Sequence, residues 1–146
     1  KRRRGAARAS SPRGGWQRSI LRSYLFNRVL AARVLAGTVH STIAGDVLAA
    51  DGKAATGPLW GRGRSASGSQ ALALEEQALA PCRSICDALE HTGVTQQRRA
   101  LCVWPDRLQW QHHDQQLHVQ FGLPAGAYAS VVLAQLFDLT EGAPNT

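Results

Sequence analysis

Cysteine and histidine are the first residues that could do chemistry in this 146-residue chain. Cys82 and Cys86 stand four apart, Cys102 follows, and His112, His113 and His118 come shortly after. Structural zinc sites use paired knuckles whose ligands turn toward one point. Cys82 and Cys86 instead fall at i, i+4 on a helical pattern, where small apolar residues pack. His112 and His113 are neighbours on a strand pattern and face opposite sides. No metal site is therefore expected. Three cysteines cannot complete a disulfide framework, and nothing marks a secreted context. A Ser-His-Asp hydrolase has no G-x-S-x-G elbow to stand on. The Gly- and Ser-rich stretch from Thr56 to Ser69 carries Arg62 and Arg64, which suit phosphate. It has neither the P-loop pattern nor the strand–GxGxxG–helix order, so both nucleotide folds are rejected.

The most informative run is Phe121 to Phe137. A strand delivers the chain to Leu123-Pro124-Ala125-Gly126-Ala127, and Tyr128 follows just before an apolar helix. A base drawn out of its stack needs such an aromatic face, worth about 1–3 kcal/mol per base. The alternative is a Tyr128 packed in the core with its hydroxyl satisfied. Charge points toward nucleic acid as well. The chain carries 17 basic and 10 acidic residues, a net charge of +7. Lys1, Arg2, Arg3, Arg4, Arg8, Arg13 and Arg18 hold the whole excess, since the residues after position 18 balance. Such a run reads as a phosphate-binding arm or as a disordered tail. No apolar run approaches the roughly 20 residues of a membrane-spanning helix, and residues 1–15 lack the apolar region of a signal peptide. The chain contains no Met, so it reads as processed or partial.

The elements that must position these residues follow from pattern. Residues 1–15 read as a flexible basic arm and 16–35 as a helix ended by Gly37. On that helix Ile20, Tyr24, Leu30, Ala31 and Val34 share a face, with Arg18, Arg22 and Arg33 opposite. Asn27 falls on the apolar side, where it would pin the helix to a loop or support a site. Gly45 to Leu48 reads as a short strand into an Asp51-Gly52 turn, and 56–69 as a loop. Gln70 to Leu79 is a helix, and Pro81 suits the first turn of another that runs to Glu90 and stops at Gly93. Residues 100–104, 108–112 and 117–121 read as strands, the last with one buried face, and His113-Asp114-Gln115 as a hairpin connection. Val131 to Phe137 closes the pattern as a helix, with a frayed tail from Thr140. Helices early and strands late imply an α+β fold.

Five stretches in order resemble the tRNA pseudouridine synthase D (TruD) family. They are Arg22-Ser-Tyr-Leu-Phe-Asn-Arg-Val-Leu30, Gly45-Asp-Val-Leu48 with Asp51-Gly52, Thr56-Gly-Pro-Leu-Trp-Gly61, Arg98-Arg-Ala-Leu101, and Phe121 through Leu136. Leu108-Gln-Trp110 fits between the last two. The resemblance implies part of a pseudouridine synthase mixed-sheet core plus a trimmed family-specific insertion domain. The basic arm 1–15 matches no pattern of the family, and 16–37 would be a helix joining core and insertion. Residues 38–105 would be the insertion and 106–146 the returning core segment. It implies uridine-to-pseudouridine isomerisation in tRNA, at position thirteen of the D-arm, without a cofactor, in the cytoplasm. Tyr128 matches the family's base-stacking aromatic. Arg18, Arg22, Arg33, Arg62, Arg64, Arg98 and Arg99 are then candidate phosphate contacts, with solvated surface as the competing reading, and Asn27 is structural support.

The sequence also departs from the family. Its nucleophilic Asp lies in a G-x-K-D-type motif, and no Asp here (46, 51, 87, 106, 114, 138) matches it. The family's Asn-Phe-x-G-x-Q-R-F stretch is missing too. Ala134-Gln135 replaces an Arg-Glu pair, and only Lys53, Ala54 and Ala55 separate Gly52 from Thr56, where the family runs longer. Lys1 thus reads as a start in mid-protein. The chain alone is expected to be inactive and to need tRNA and the N-terminal half of the same protein as partners. The alternatives are a non-enzymatic RNA-binding module or degenerate paralogue, and a fragment without a stable fold.

Overall fold

A 24-residue helix, α1 (Pro12–Leu35), opens the described chain. The structure is a computed structural model and describes residues 12–125 and 127–138. The basic residues Lys1 to Arg8 and the tail from Thr140 lie outside that range. α1 begins four residues before the expected Trp16. Pro12 suits a first helical turn, because its missing N–H would have no partner there in any case. The helix ends on Gly37 at φ +67°. Thr38 N–H donates to Arg33 O (2.9 Å) and Gly37 N–H to Val34 O (3.0 Å), a Schellman closure that only a left-handed residue permits.

The chain divides into two units, Lys1–Cys102 and Val103–Thr146. The first contains α1, β1 (Thr56–Leu59), α2 (Ser69–Leu79), a 3-10 turn (Ala80–Cys82), α3 (Arg83–Glu90) and β2 (Gln97–Ala100). β1 and β2 pair antiparallel, with Thr56 opposite Ala100 and Leu59 opposite Gln97. A two-stranded sheet has only edge strands, so Pro58 sits in β1 without breaking a ladder. Leu25 and Val29 of α1 bury against Leu79, Cys82, Cys86 and Leu89. Phe26 packs with Ala55 and Leu101. A Cβ on Gly57 would come within 3.1 Å of the Phe26 ring, so glycine lets α1 lie close on β1.

The buried face of α1 differs from the expected one. Ile20, Tyr24 and Val34 are exposed, whereas Leu25, Phe26, Val29 and Arg33 are buried. The helix is apolar on more than one side, and periodicity cannot choose the side that meets a partner. Asn27 is exposed, so it does not pin the helix to a loop.

Other differences have similar causes. The expected loop at 56–69 begins as β1, and the expected strand at 100–104 is displaced to Gln97–Ala100. Each of the two strands exists because the other pairs with it, a relation across some forty residues that local pattern does not carry. Gly45 to Leu48 forms only the single bridge Leu48–Ala55. The Asp51-Gly52 turn is as expected, with Gly52 at φ +69° and Asp51 Oδ1 accepting Lys53 N–H at 3.0 Å. The helices around Pro81 also stand where the punctuation puts them.

The second unit is the hairpin β3 (Asp106–His113) and β4 (Gln116–Gly122), followed by α4 (Ala129–Leu133). Asp114 and Gln115 both have positive φ (46° and 63°), the two-residue turn that follows the strand twist. No residue of β3 is buried, and Leu108, Trp110 and Leu117 are exposed. Of the expected buried face of β4, Leu117 is exposed and Val119 and Phe121 are only half-buried. Alternation marks a face as apolar but does not supply what covers it. The helix expected from Val131 to Phe137 is regular only to Leu133 and continues as turns. The whole is α+β: helices with two small antiparallel sheets.

Candidate nucleic-acid interface

Seven arginines are candidates for phosphate, and the fold sorts them by whether their charge is already matched. Arg33 is 2% exposed. Its Nη1 and Nη2 donate to the two carboxylate oxygens of Asp46 (2.9 and 3.0 Å), and Nη2 also reaches the carbonyls of Thr38 and Ser41. Asp46 in turn accepts Ile43 N–H at 2.7 Å. The pair locks the segment after Gly37 against α1, and no phosphate can reach it. Arg98 is likewise matched. Its Nη2 lies 2.7 Å from Glu75 Oε1, Nε donates to Thr56 Oγ1, and Ser67 Oγ donates to Glu75 Oε2 at 2.8 Å. Both side chains serve the fold, which corrects the expectation for Arg33 and Arg98.

Arg22 is different. Its Nη2 donates to the carbonyls of Leu59 and Thr95 (3.0 Å each) and to Gln97 Oε1 (3.3 Å), all neutral acceptors. Burial and, after it, the nearby Arg99 guanidinium lower its pKa. Arg99 is exposed on β2, and its guanidinium carbon sits 5.4 Å from the centre of the Phe26 ring. Arg18 lies one helical turn before Arg22 on α1. Arg62 is exposed and bridges to Thr95, the residue whose carbonyl Arg22 holds. The last candidate, Arg64, is exposed in the loop beyond.

Arg22 and Arg99 are thus neighbours at the β1–β2 sheet, and Arg18, one turn away on α1, and Arg62, bridged to Thr95 through its backbone, are grouped with them as one arginine strip. None of the four forms an ion pair among the described residues. Like charges held together without a counter-ion repel, and an anion relieves them. Phe26 and Gln97 help hold the strip and were not singled out from sequence. Their roles depend on the β1–β2 pairing.

In the second unit Tyr128 stands at the N-terminal end of α4 with extended backbone (φ −113°, ψ 126°). Its carbonyl accepts Val131 N–H at 3.1 Å, so the helix fixes its backbone. Its side chain is 72% exposed in this chain. Nearby in sequence, Trp104, Trp110 and Phe137 are also exposed.

Nucleophilic cysteine chemistry finds no support. Burial, followed by the neighbouring Cys82, pushes the Cys86 thiol up to about 11. Burial raises the Cys102 thiol as well, and its Sγ donates to Val39 O at 3.1 Å. A thiol must ionise to attack or to bind metal. Among the described residues no three His, Cys, Asp or Glu side chains gather as a metal site would require. Among them, too, no helix is long and apolar enough to cross a membrane.

No family model matches the chain. Curated proteins do. The chain is 42% identical over 125 residues to tRNA pseudouridine synthase D of Cellvibrio japonicus (strain Ueda107), covering 84% of this chain and 36% of that protein. It is 35% identical over 145 residues to the protein of the same name from Aeromonas hydrophila subsp. hydrophila, covering 84% and 41%. For that of Xanthomonas euvesicatoria pv. vesicatoria the figures are 38% over 154 residues, 86% and 42%. The chain thus spans less than half the length of these relatives. The Aeromonas alignment needs 145 positions for the share of this chain that the Cellvibrio one covers in 125, so the two relatives differ in length within it.

Proposed function

The chain belongs to the tRNA pseudouridine synthase D family, and we propose that it is the C-terminal part of such an enzyme. The complete protein converts uridine to pseudouridine in tRNA, at position thirteen of the D-arm, in the cytoplasm and without a cofactor. The uridine is extruded, an Asp outside this chain attacks, and the detached base turns before a carbon–carbon bond closes. The observation that carries this reading is the identity to proteins of that name across more than four fifths of this chain.

Within the reading, residues 38–105 are the family's insertion and 106–146 return to the catalytic core. Tyr128 stacks on the extruded base. Its exposure and its backbone, held by α4, support that role. The arginine strip takes tRNA phosphates, with Arg64 beside it, because these cations have no carboxylate of their own among the described residues. The N-terminal half of the protein supplies the nucleophile and covers the exposed apolar side chains of the second unit.

The test is reconstitution. Incubated alone with tRNA, the chain forms no pseudouridine. Mixed with the N-terminal half of the Cellvibrio japonicus relative, it forms pseudouridine at one tRNA position. Tyr128→Ala in that mixture lowers the rate about tenfold or more, the stacking of one base. Pseudouridine formed by the chain alone refutes the missing nucleophile. Tight tRNA binding with no activity in the mixture favours a non-enzymatic RNA-binding module.

A further inference from the structure

The first unit holds a groove of about 310 Å³ between the loop after Gly61, α2 and the start of α3. Trp60 lines it with Leu72 and Leu79, and Arg64, Arg83 and Glu76 add the charges at its edge. Trp60 is half-buried, and its Nε1–H donates to Glu90 Oε1 at 3.1 Å, which fixes the indole plane. Glu75 and Ser65 also border the groove. Arg98 neutralises Glu75, and Ser65 and Ser67 share its Oε2. The loop is held at both ends: Arg62 N–H donates to Val94 O at 2.7 Å, and Gly68 N–H to Gly45 O at 2.9 Å.

What remains for a ligand is specific in kind. There is one rigid aromatic face and there are two guanidinium groups. Arg64 and Arg83 are exposed, and neither joins an ion pair among the described residues. The volume is at the lower end for small-molecule sites, roughly 300–1,000 Å³, and fits a single nucleotide. Guanidinium forks match phosphate oxygens, and an indole stacks on any base. The groove also adjoins the arginine strip along the chain. Trp60 follows Leu59, whose carbonyl anchors Arg22, and precedes Arg62 by two residues.

We propose that this groove binds one unpaired nucleotide, with its base on Trp60 and its phosphate between Arg64 and Arg83. Glu76 is placed to accept a hydrogen bond from the sugar or the base. Tyr128 belongs to the other unit, and in RNA the groove would hold an extruded or single-stranded nucleotide of its own. As an RNA contact it rests on the reading above.

The experiment measures binding of the 146-residue chain to end-labelled oligouridine, to tRNA and to uridine 5′-monophosphate. Arg64→Gln with Arg83→Gln weakens oligouridine binding about tenfold, the loss of a shared phosphate contact. Lys53→Gln, which removes one charge on the Asp51-Gly52 turn against two in the groove, changes it less than about twofold. Trp60→Leu weakens it about tenfold as well, and thermal melts verify that each variant is folded. If the paired arginine variant is folded and binds like Lys53→Gln, the proposal is overturned. If the wild type binds neither tRNA nor oligouridine, it is the RNA reading that fails. Monophosphate binding that depends on Arg64 and Arg83 then identifies a free-nucleotide site, and no monophosphate binding overturns the groove too.

Discussion

Cys86 is nearly fully enclosed, and that burial makes its acid–base behaviour a matter of stability. Its thiol is held up at about 11 in the fold, against about 8.5 in an unfolded chain. The neutral form is the one the core accepts, so the stabilisation is complete below the unfolded value. It is lost as pH rises toward the folded one. The melting temperature of the chain therefore falls between about pH 8.5 and 11. Cys86→Ala melts lower at neutral pH but shows a shallower alkaline fall, which a series of melts checks. Arg33 and Asp46 make the complementary case. Their side chains are 2% and 4% exposed. Asp46→Asn leaves the guanidinium buried without its counter-charge and costs about 3–5 kcal/mol in urea unfolding. Arg22 predicts a different signature. Arg22→Gln loses an unmatched cation, so it lowers the salt dependence of tRNA binding by about one unit of slope.

At the scale of elements, glycine marks where backbones meet. A Cβ on Gly61 would lie 2.6 Å from the Thr95 carbonyl carbon, and one on Gly45 only 1.9 Å from Gly68 O. Both clashes are with backbone, so no side-chain rotation relieves them. Gly61→Ala parts the crossing that seats Arg62 beside Thr95, and it destabilises the first unit by about 2 kcal/mol or more. Gly37 has positive φ too, but nothing lies near its Cβ. Gly37→Ala strains only the helix cap, at a cost of about 1 kcal/mol. Urea titrations of the two variants give that order, and the reverse order refutes the close-approach account.

At the scale of the whole molecule, the two units differ in how much they enclose. All the buried apolar side chains among the described residues fall in the first unit, from Leu25 to Leu101. The second exposes Trp110, Tyr128, Val131 and Leu136, and its sheet has only two strands. A lone hairpin is marginal in water, and exposed apolar clusters of this kind favour association. Amide hydrogen exchange therefore finds α1, α2 and α3 protected and β3 and β4 exchanging faster. Sedimentation at rising concentration shows self-association that substitution of Trp110 by Ser reduces. Uniform protection across both units contradicts this picture.

Sequence alone determined the local features of this protein. The Schellman glycine after α1, the Asp51-Gly52 turn, the break at Pro81 and the hairpin turn at Asp114-Gln115 each rest on one residue's backbone preference. Five motifs in order were also enough for the family. The pairing of β1 with β2, the buried face of α1 and the division of the arginines depend on residues far apart in the chain. Arg33 and Arg22 lie on the same helix and look alike in sequence. One meets Asp46 and the other meets carbonyls and a second arginine. Charge is a property of the residue, but its neutralisation belongs to its neighbours, and tertiary structure alone decided those.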